Sequence, residues 1–284
     1  MLLCLQLMTI EKEPLPNWTK YLWDYQQIQF PRPRFVELDL SNRCNINCKF
    51  CCSRDARQKS QEDMNDQTFS IQIEFAIKNR TSIIFTGGGE PSLHPKFFNY
   101  LDLVMACLIK SEIMGFGLVT NGVALESIIG IEKICQYLND YPRLNAWARV
   151  SLNDRKPHPE LLRVMEVHPG QVGISIVRYK KDNAAQVQKN LMQISDAGQG
   201  GKGRYLAKIV RVTNDAYNNF SNFDPEHCIG RKFSRVIEPN GKVAYCCHAR
   251  GKNRYPPERC PSHCRWMQLN EEISDLTHRF NPWT

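Results

Sequence analysis

Apolar residues in this chain fall into short, β-branched or aromatic runs separated by longer stretches of helical period. The short runs are FVELDL (35–40), SIIFTG (82–87), GFGLVTNG (115–122), WARVSL (147–152), GISIVR (173–178) and YLAKIVRV (205–212). Most are bounded by Gly, Asn or Asp, and all read as strands. Between them lie DQTFSIQIEFAIKN (66–79), KFFNYLDLVMACLIK (96–110), ALESIIGIEKICQYL (124–138), PELLRVMEV (159–167) and AAQVQKNLMQISDAG (184–198), which read as amphipathic helices. Strict alternation predicts an α/β fold of parallel strands with helical crossovers. Six such units predict a partial (β/α)6 barrel, short of the closed eight-unit form. Ligands of such sheets bind at the C-terminal ends of the strands.

The pattern changes near residue 222, and the barrel is expected over 35–222. Beyond it RKFSRVIEPNGKVAYCC reads as two strands joined at Asn240-Gly241, a strong hairpin signal. Residues 223–284 are therefore expected to form a small, cysteine-rich domain containing a β-hairpin. The first 34 residues carry Trp18, Tyr21, Trp23 and Tyr25 before the PRPR of 31–34. They are expected to pack a short helix on the barrel.

Length and composition, 284 residues with 42% apolar and 23% charged, suit a packed core. No apolar run reaches the ~18 residues of a membrane helix, and MLLCLQLMTIEKEP lacks the basic start of a signal peptide. The expectation is a cytoplasmic protein without membrane contact. There, twelve cysteines point to metal or redox chemistry in preference to disulfides. Cys107 and Cys135 sit on helix-like apolar faces and read as inert core residues. The others cluster.

Cys44, Cys48 and Cys51 follow the first strand with the spacing C-x3-C-x2-C. Short loop spacings let thiolates converge on a soft metal centre. A structural zinc site takes four protein ligands, whereas three thiolates leave one iron of a [4Fe–4S] cubane open. Cys52 reads as a small loop residue. The second strand ends in FTGGGEP, where Gly87, Gly88 and Gly89 allow close backbone approach and Glu90 adds a carboxylate. His94, which follows in SLHP, reads as a loop contact.

With C-x3-C-x-Φ-C, Phe50 being the aromatic Φ, and GGGEP one β/α unit later, residues 35–212 resemble the radical S-adenosylmethionine (SAM) superfamily. The resemblance implies that Cys44, Cys48 and Cys51 ligate three irons of a [4Fe–4S] cluster and that the fourth iron chelates SAM. It implies that Gly87–Gly89 and Glu90 receive the methionyl amine and that Phe50 borders the adenine. Asn121, Ser151 and Asn153, at the ends of strands three and four, become candidates for the ribose or the substrate. Arg178 and Arg211 become candidates for the SAM carboxylate. The implied chemistry is reductive cleavage of SAM to a 5′-deoxyadenosyl radical, which abstracts a hydrogen atom from the substrate.

In the C-terminal part, Cys228 and Cys246 flank the predicted hairpin, which folds them together, and Cys260 and Cys264 form a late pair. Two pairs of thiolates make a metal-site pattern that leaves zinc and iron–sulfur open. Cys246 is chosen over its neighbour Cys247, since adjacent strand residues point oppositely. His227, His248 and His263 flank these thiolates in supporting roles. The pattern resembles the SPASM or shorter Twitch extensions of radical SAM enzymes, which implies an auxiliary [4Fe–4S] cluster, with zinc as the lesser alternative. The late C-x3-C spacing departs from the more usual C-x2-C.

The chain carries a formal net charge of +8, and residues 223–265 hold nine Lys or Arg against four Asp or Glu. This basicity balances a thiolate-bound cluster, and it also admits an anionic substrate. The substrate reading is dehydrogenation of a small molecule, because thirty-four residues are too few for an N-terminal peptide-binding domain. Peptide, protein or RNA and nucleobase modification by the same chemistry is the alternative. A non-enzymatic zinc or iron–sulfur RNA-binding protein is the reading from another class, and it leaves GGGEP unexplained. A reductant such as flavodoxin or ferredoxin is the expected partner.

Overall fold

The structure is a computed structural model. It describes residues 35–48, 61–152, 155–169, 171–178, 207–211 and 234–244, with the single positions 33, 51, 53, 57 and 189. The expected N-terminal helix, the helix of 184–198 and the C-terminal cysteines lie outside the described residues, apart from position 189.

Six strands follow the six apolar runs: β1 (Phe35–Asp39), β2 (Ser82–Thr86), β3 (Phe116–Thr120), β4 (Ala146–Ser151), β5 (Val172–Arg178) and β6 (Ala207–Arg211). Four helices connect the first five: α1 (Asp66–Asn79), α2 (Phe97–Ile109), α3 (Leu125–Asp140) and α4 (Pro159–Val167). A 3-10 turn spans Pro91–Leu93. Two of the helices start on side-chain caps, Asn65 accepting from the Thr68 N–H and His158 from that of Glu160. The six strands run parallel, each pairing with the next in sequence.

Register assigns the two faces. Val36, Leu38, Ile83, Phe85, Phe116, Leu118, Ala148, Val150, Val172 and Ile174 share one face and one buried cluster with residues of all four helices, including Phe69, Leu101, Ile131 and Val164. Parallel neighbours in register point the same way, so the helices cover a single face, as in a barrel wall. Cys107 and Cys135 lie buried in the same cluster. The opposite face carries Glu37, Asp39, Thr86, Gly117, Val119, Trp147, Arg149 and Ser151.

The predicted hairpin exists, as β7 (Ser234–Ile237) and β8 (Val243–Ala244), paired antiparallel. Gly241 takes φ +82 in its turn, and the Lys242 N–H donates to Asn240 Oδ1. The position of β7 was not foreseen: it pairs parallel with β1, from Phe35↔Ser234 to Leu38↔Ile237. The eight-stranded order is β6-β5-β4-β3-β2-β1-β7-β8. Val236 and Ile237 are fully buried, and the Arg235 guanidinium lies 4.4 Å from the centroid of the Phe75 ring of α1. The hairpin covers the edge of β1 that would otherwise present unpaired backbone groups.

Candidate functional site

The loops leaving the C-terminal ends of β1 to β4 are knitted together at one place. The β1 loop carries the cysteines. Its start is pinned by backbone pairing of Asn42 with Glu62 and of Met64 with Leu40. Arg43 adds a fork to Asp63, Nε at 3.2 Å and Nη2 at 2.6 Å, and its Nη2 also donates to Leu93 O. The Cys51 N–H donates to Cys48 O at 3.2 Å, which closes the turn that carries both thiols.

All three thiols are partly buried. Burial pushes the Cys44 and Cys48 thiols up; Glu90 and then Cys51 raise Cys44 further, and Cys51 and Cys44 raise Cys48. Opposing this, the Ile46 N–H and the Arg57 guanidinium favour the thiolate of Cys44, and the guanidiniums of Arg155 and Arg57 that of Cys48. Among the described residues no three His, Cys, Asp or Glu converge tightly enough for a single metal ion. A cubane instead spreads its thiolates over separate irons. Three mutually interacting soft donors with two cations beside them fit such an anionic cluster. Arg57 donates from Nη1 to Ile46 O, while its buried Nε meets no acceptor among the described residues. A buried N–H of this kind fits a sulfur acceptor supplied by the cluster.

The glycines of the β2 loop serve a purpose that was not expected. A Cβ on Gly89 would stand 2.1 Å from Arg43 O, and one on Gly87 2.2 Å from Gly89 O. Backbone approaches backbone here, the Glu90 N–H donating to Arg43 O at 2.7 Å, and the Ser53 side chain adds a bond from Oγ to Gly87 O at 3.3 Å. A Cβ on Gly88 would meet Asp39 Oδ2 at 3.0 Å. Asp39 is a buried carboxyl at the end of β1 that sequence reading passed over.

Glu90 is 2% exposed. Its Oε1 accepts from the Ser92 N–H, Ser92 Oγ and Thr120 Oγ1 at 3.3, 3.0 and 2.6 Å, and its Oε2 from the Asn121 N–H at 2.7 Å. Burial pushes its pKa up, against these four donors. A carboxylate has about four acceptor sites, so its hydrogen bonding is taken up in bracing β3 against the glycine loop. Asn121 continues the brace. Its Nδ2 donates to Asn45 Oδ1 at 2.7 Å and lies 3.8 Å from Cys44 Sγ, while its Oδ1 accepts from the Val123 N–H. Arg155 Nη2 donates to Ser151 O at 2.6 Å and to Asn121 O at 3.2 Å, which joins the ends of β3 and β4. Neither Arg57 nor Arg155 belongs to a motif, and no local signal marks them.

His94 is a buried loop contact, as read from the sequence. Its Nδ1 accepts from the Lys96 N–H, so Nε2–H donates to Met64 O. Arg178 and Arg211 are paired in register at the ends of β5 and β6. Phe50, Asn153, Cys228, Cys246, Cys260 and Cys264 lie outside the described residues, as do Cys52, Cys247 and the three C-terminal histidines.

The Radical SAM superfamily model matches residues 38–182, just over half of the chain. A stretch of 94 residues is 30% identical to the tungsten-containing aldehyde ferredoxin oxidoreductase cofactor-modifying protein of Pyrococcus furiosus. That stretch is 32% of this chain and a quarter of the relative. Streptococcus suis SuiB, solved bound to precursor peptide SuiA, superposes over 89% of this chain and 68% of its own, with TM-score 0.50 and 15% identity. BtrN, solved with AdoMet and 2-DOIA, matches 87% of this chain and 89% of its own at TM-score 0.45 and 13% identity.

Proposed function

This chain belongs to the radical SAM superfamily, and from that membership we propose that it reductively cleaves SAM at a [4Fe–4S] cluster held by Cys44, Cys48 and Cys51. Membership makes it an enzyme and sets aside the reading as a binding module. When bound, the cluster and SAM supply sulfonium cleavage and abstraction of a hydrogen atom from an unactivated C–H bond. The observation that carries the proposal is the half-buried trio of thiols on a loop braced by the glycine segment, Glu90 and Asn121.

The chain's own residues hold the cysteine loop in place. Arg57 and Arg155 offset the negative charge gathered there, and Glu90 positions the β2 and β3 loops. Gly87–Gly89 and Glu90, with Phe50, Asn121, Ser151, Asn153, Arg178 and Arg211, remain the proposed SAM surroundings. For Glu90 and Asn121 the hydrogen bonds above favour a positioning role. The helices of the first four units, all on one face, support the partial (β/α)6 barrel. The C-terminal cysteines Cys228, Cys246, Cys260 and Cys264 are proposed to hold an auxiliary [4Fe–4S] cluster, with zinc as the alternative. A flavodoxin or ferredoxin in a reducing, cytoplasmic setting would supply the electron. No helix among the described residues is long and apolar enough to cross a membrane.

For the substrate, modification of a peptide or protein side chain is favoured over small-molecule dehydrogenation. The support is fold likeness to a protein seen with its precursor peptide.

Iron and zinc counting on anaerobically reconstituted protein tests the reading, with 5′-deoxyadenosine measured after reduction in the presence of SAM. Wild type should hold about eight irons and the Cys44/Cys48/Cys51→Ala variant about four, at four irons per cubane. Only wild type should release 5′-deoxyadenosine. Unchanged iron in the variant, or wild type that leaves SAM intact, would defeat it.

A further inference from the structure

On the face of the sheet opposite the helices, β4 presents Trp147, Arg149 and Ser151. Arg149 is unusual there. Its Nε is buried and has no hydrogen-bond partner, and no ion pair engages its guanidinium among the described residues. Its guanidinium lies against Trp147, whose ring centroid is 5.7 Å from Cζ. Cation–π contact of this kind fixes the guanidinium plane while leaving its N–H edges to bind something else.

A glycine on each neighbouring strand shapes the space around it: β5 leaves volume beside Arg149, and β3 seats the indole. Arg149 pairs in register with Gly173 on β5, which has no side chain to fill the volume. On β3, Gly117 lies under the indole, where a Cβ would stand 2.3 Å from Trp147 Cζ2. Glu37 on β1 reaches Arg149 electrostatically, yet burial outweighs it and lowers the Arg149 pKa. Three strand spacings, about 14 Å, separate β1 from β4 along a flat sheet. An interaction across that span fits walls that curve toward one another. A half-buried guanidinium with a buried, unpartnered Nε gains from a counter-charge that arrives beside it. A planar fork of N–H donors matches carboxylate and phosphate oxygens.

We propose that Arg149 is the anchor for a negatively charged group of the substrate, a carboxylate or a phosphate, bound on the face of the sheet opposite the helices. Trp147, seated over Gly117, holds the guanidinium in place, and Gly173 leaves room for the ligand. The proposal rests on the radical SAM reading, which makes this face the wall of the substrate chamber.

The test is phenylglyoxal labelling of the anaerobically reconstituted, unreduced full chain, with each arginine followed by peptide mass spectrometry. Labelling is compared without additions, with SAM, with SAM plus inorganic phosphate, and with SAM plus acetate. Exposed Arg143 serves as the reference. Arg149 should be labelled in the SAM-bound protein, and phosphate or acetate should slow that labelling about fivefold, near 1 kcal/mol. Arg143 should not respond. Whichever anion protects identifies the phosphoryl or the carboxylate class. Arg149 that never reacts is closed to ligands, and protection by SAM alone would assign it to the cofactor; either result overturns the proposal, as does labelling that tracks Arg143. A separate, unlabelled portion of the same preparation is reduced with dithionite in the presence of SAM and assayed for 5′-deoxyadenosine. Cleavage of SAM without anion protection defeats only the Arg149 anchor, and protection without cleavage defeats only the radical reading.

Discussion

Glu90 shows how a motif residue and its work can differ. In sequence it is the carboxylate of GGGEP, available to a ligand amine. In the folded chain it accepts four hydrogen bonds from Ser92, Thr120 and Asn121. Glu90→Gln would turn an amide N–H toward one of these donors. Losing a buried, charge-assisted bond in this way costs about 1–3 kcal/mol. The urea midpoint of the variant should fall with an unchanged slope; an unchanged midpoint would mean that the brace is absent. This role was illegible in sequence because its donors lie up to 31 positions away, on another strand.

The cysteine and glycine loops behave as one element built from two β/α units. Their contact is backbone on backbone, so no side-chain rotation relieves an added methyl at Gly89. Gly89→Ala, with its Cβ 2.1 Å from Arg43 O, should displace the cysteine loop and lower the iron retained after anaerobic desalting. Gly88→Ala meets only the Asp39 carboxylate at 3.0 Å, which can shift, and should retain more iron than Gly89→Ala. Equal retention by the two variants would argue against the loop contact. The six strands and the four described helices were legible to within about two residues, because alternation and helical period are properties of neighbouring residues. That the glycines serve the cysteine loop was not.

Across the molecule, the hairpin of β7 and β8 belongs to the same sheet as the β/α units. It was legible as a hairpin from Asn240-Gly241, but its parallel pairing with β1 joins residues about two hundred positions apart, which no local pattern reports. Ile237 is fully buried in the common hydrophobic cluster. Ile237→Ala should therefore destabilise the whole sheet by about 2–5 kcal/mol. Fluorescence and far-UV circular dichroism should then report one shifted unfolding transition. Two separated transitions would mean that the hairpin unfolds on its own.

Short-range information in the chain was enough for the order and type of its elements, the C-x3-C-x2-C loop after β1 and the glycine loop after β2. These depend on side-chain period, turn chemistry and ligand spacing over a few residues. Packing alone chose which strand face the helices cover, and so left Arg149 on the opposite face beside Trp147. It also brought Arg57 and Arg155 to the thiols and occupied the Glu90 carboxylate. Alternation along a strand defines two faces, but where both carry apolar residues, as with Ile84 in β2, Val119 in β3 and Trp147 in β4, it does not say which one the helices cover. That choice is made when strands align in register and the helices' apolar stripes find a common cluster, an outcome of distant contacts that no short window of sequence contains.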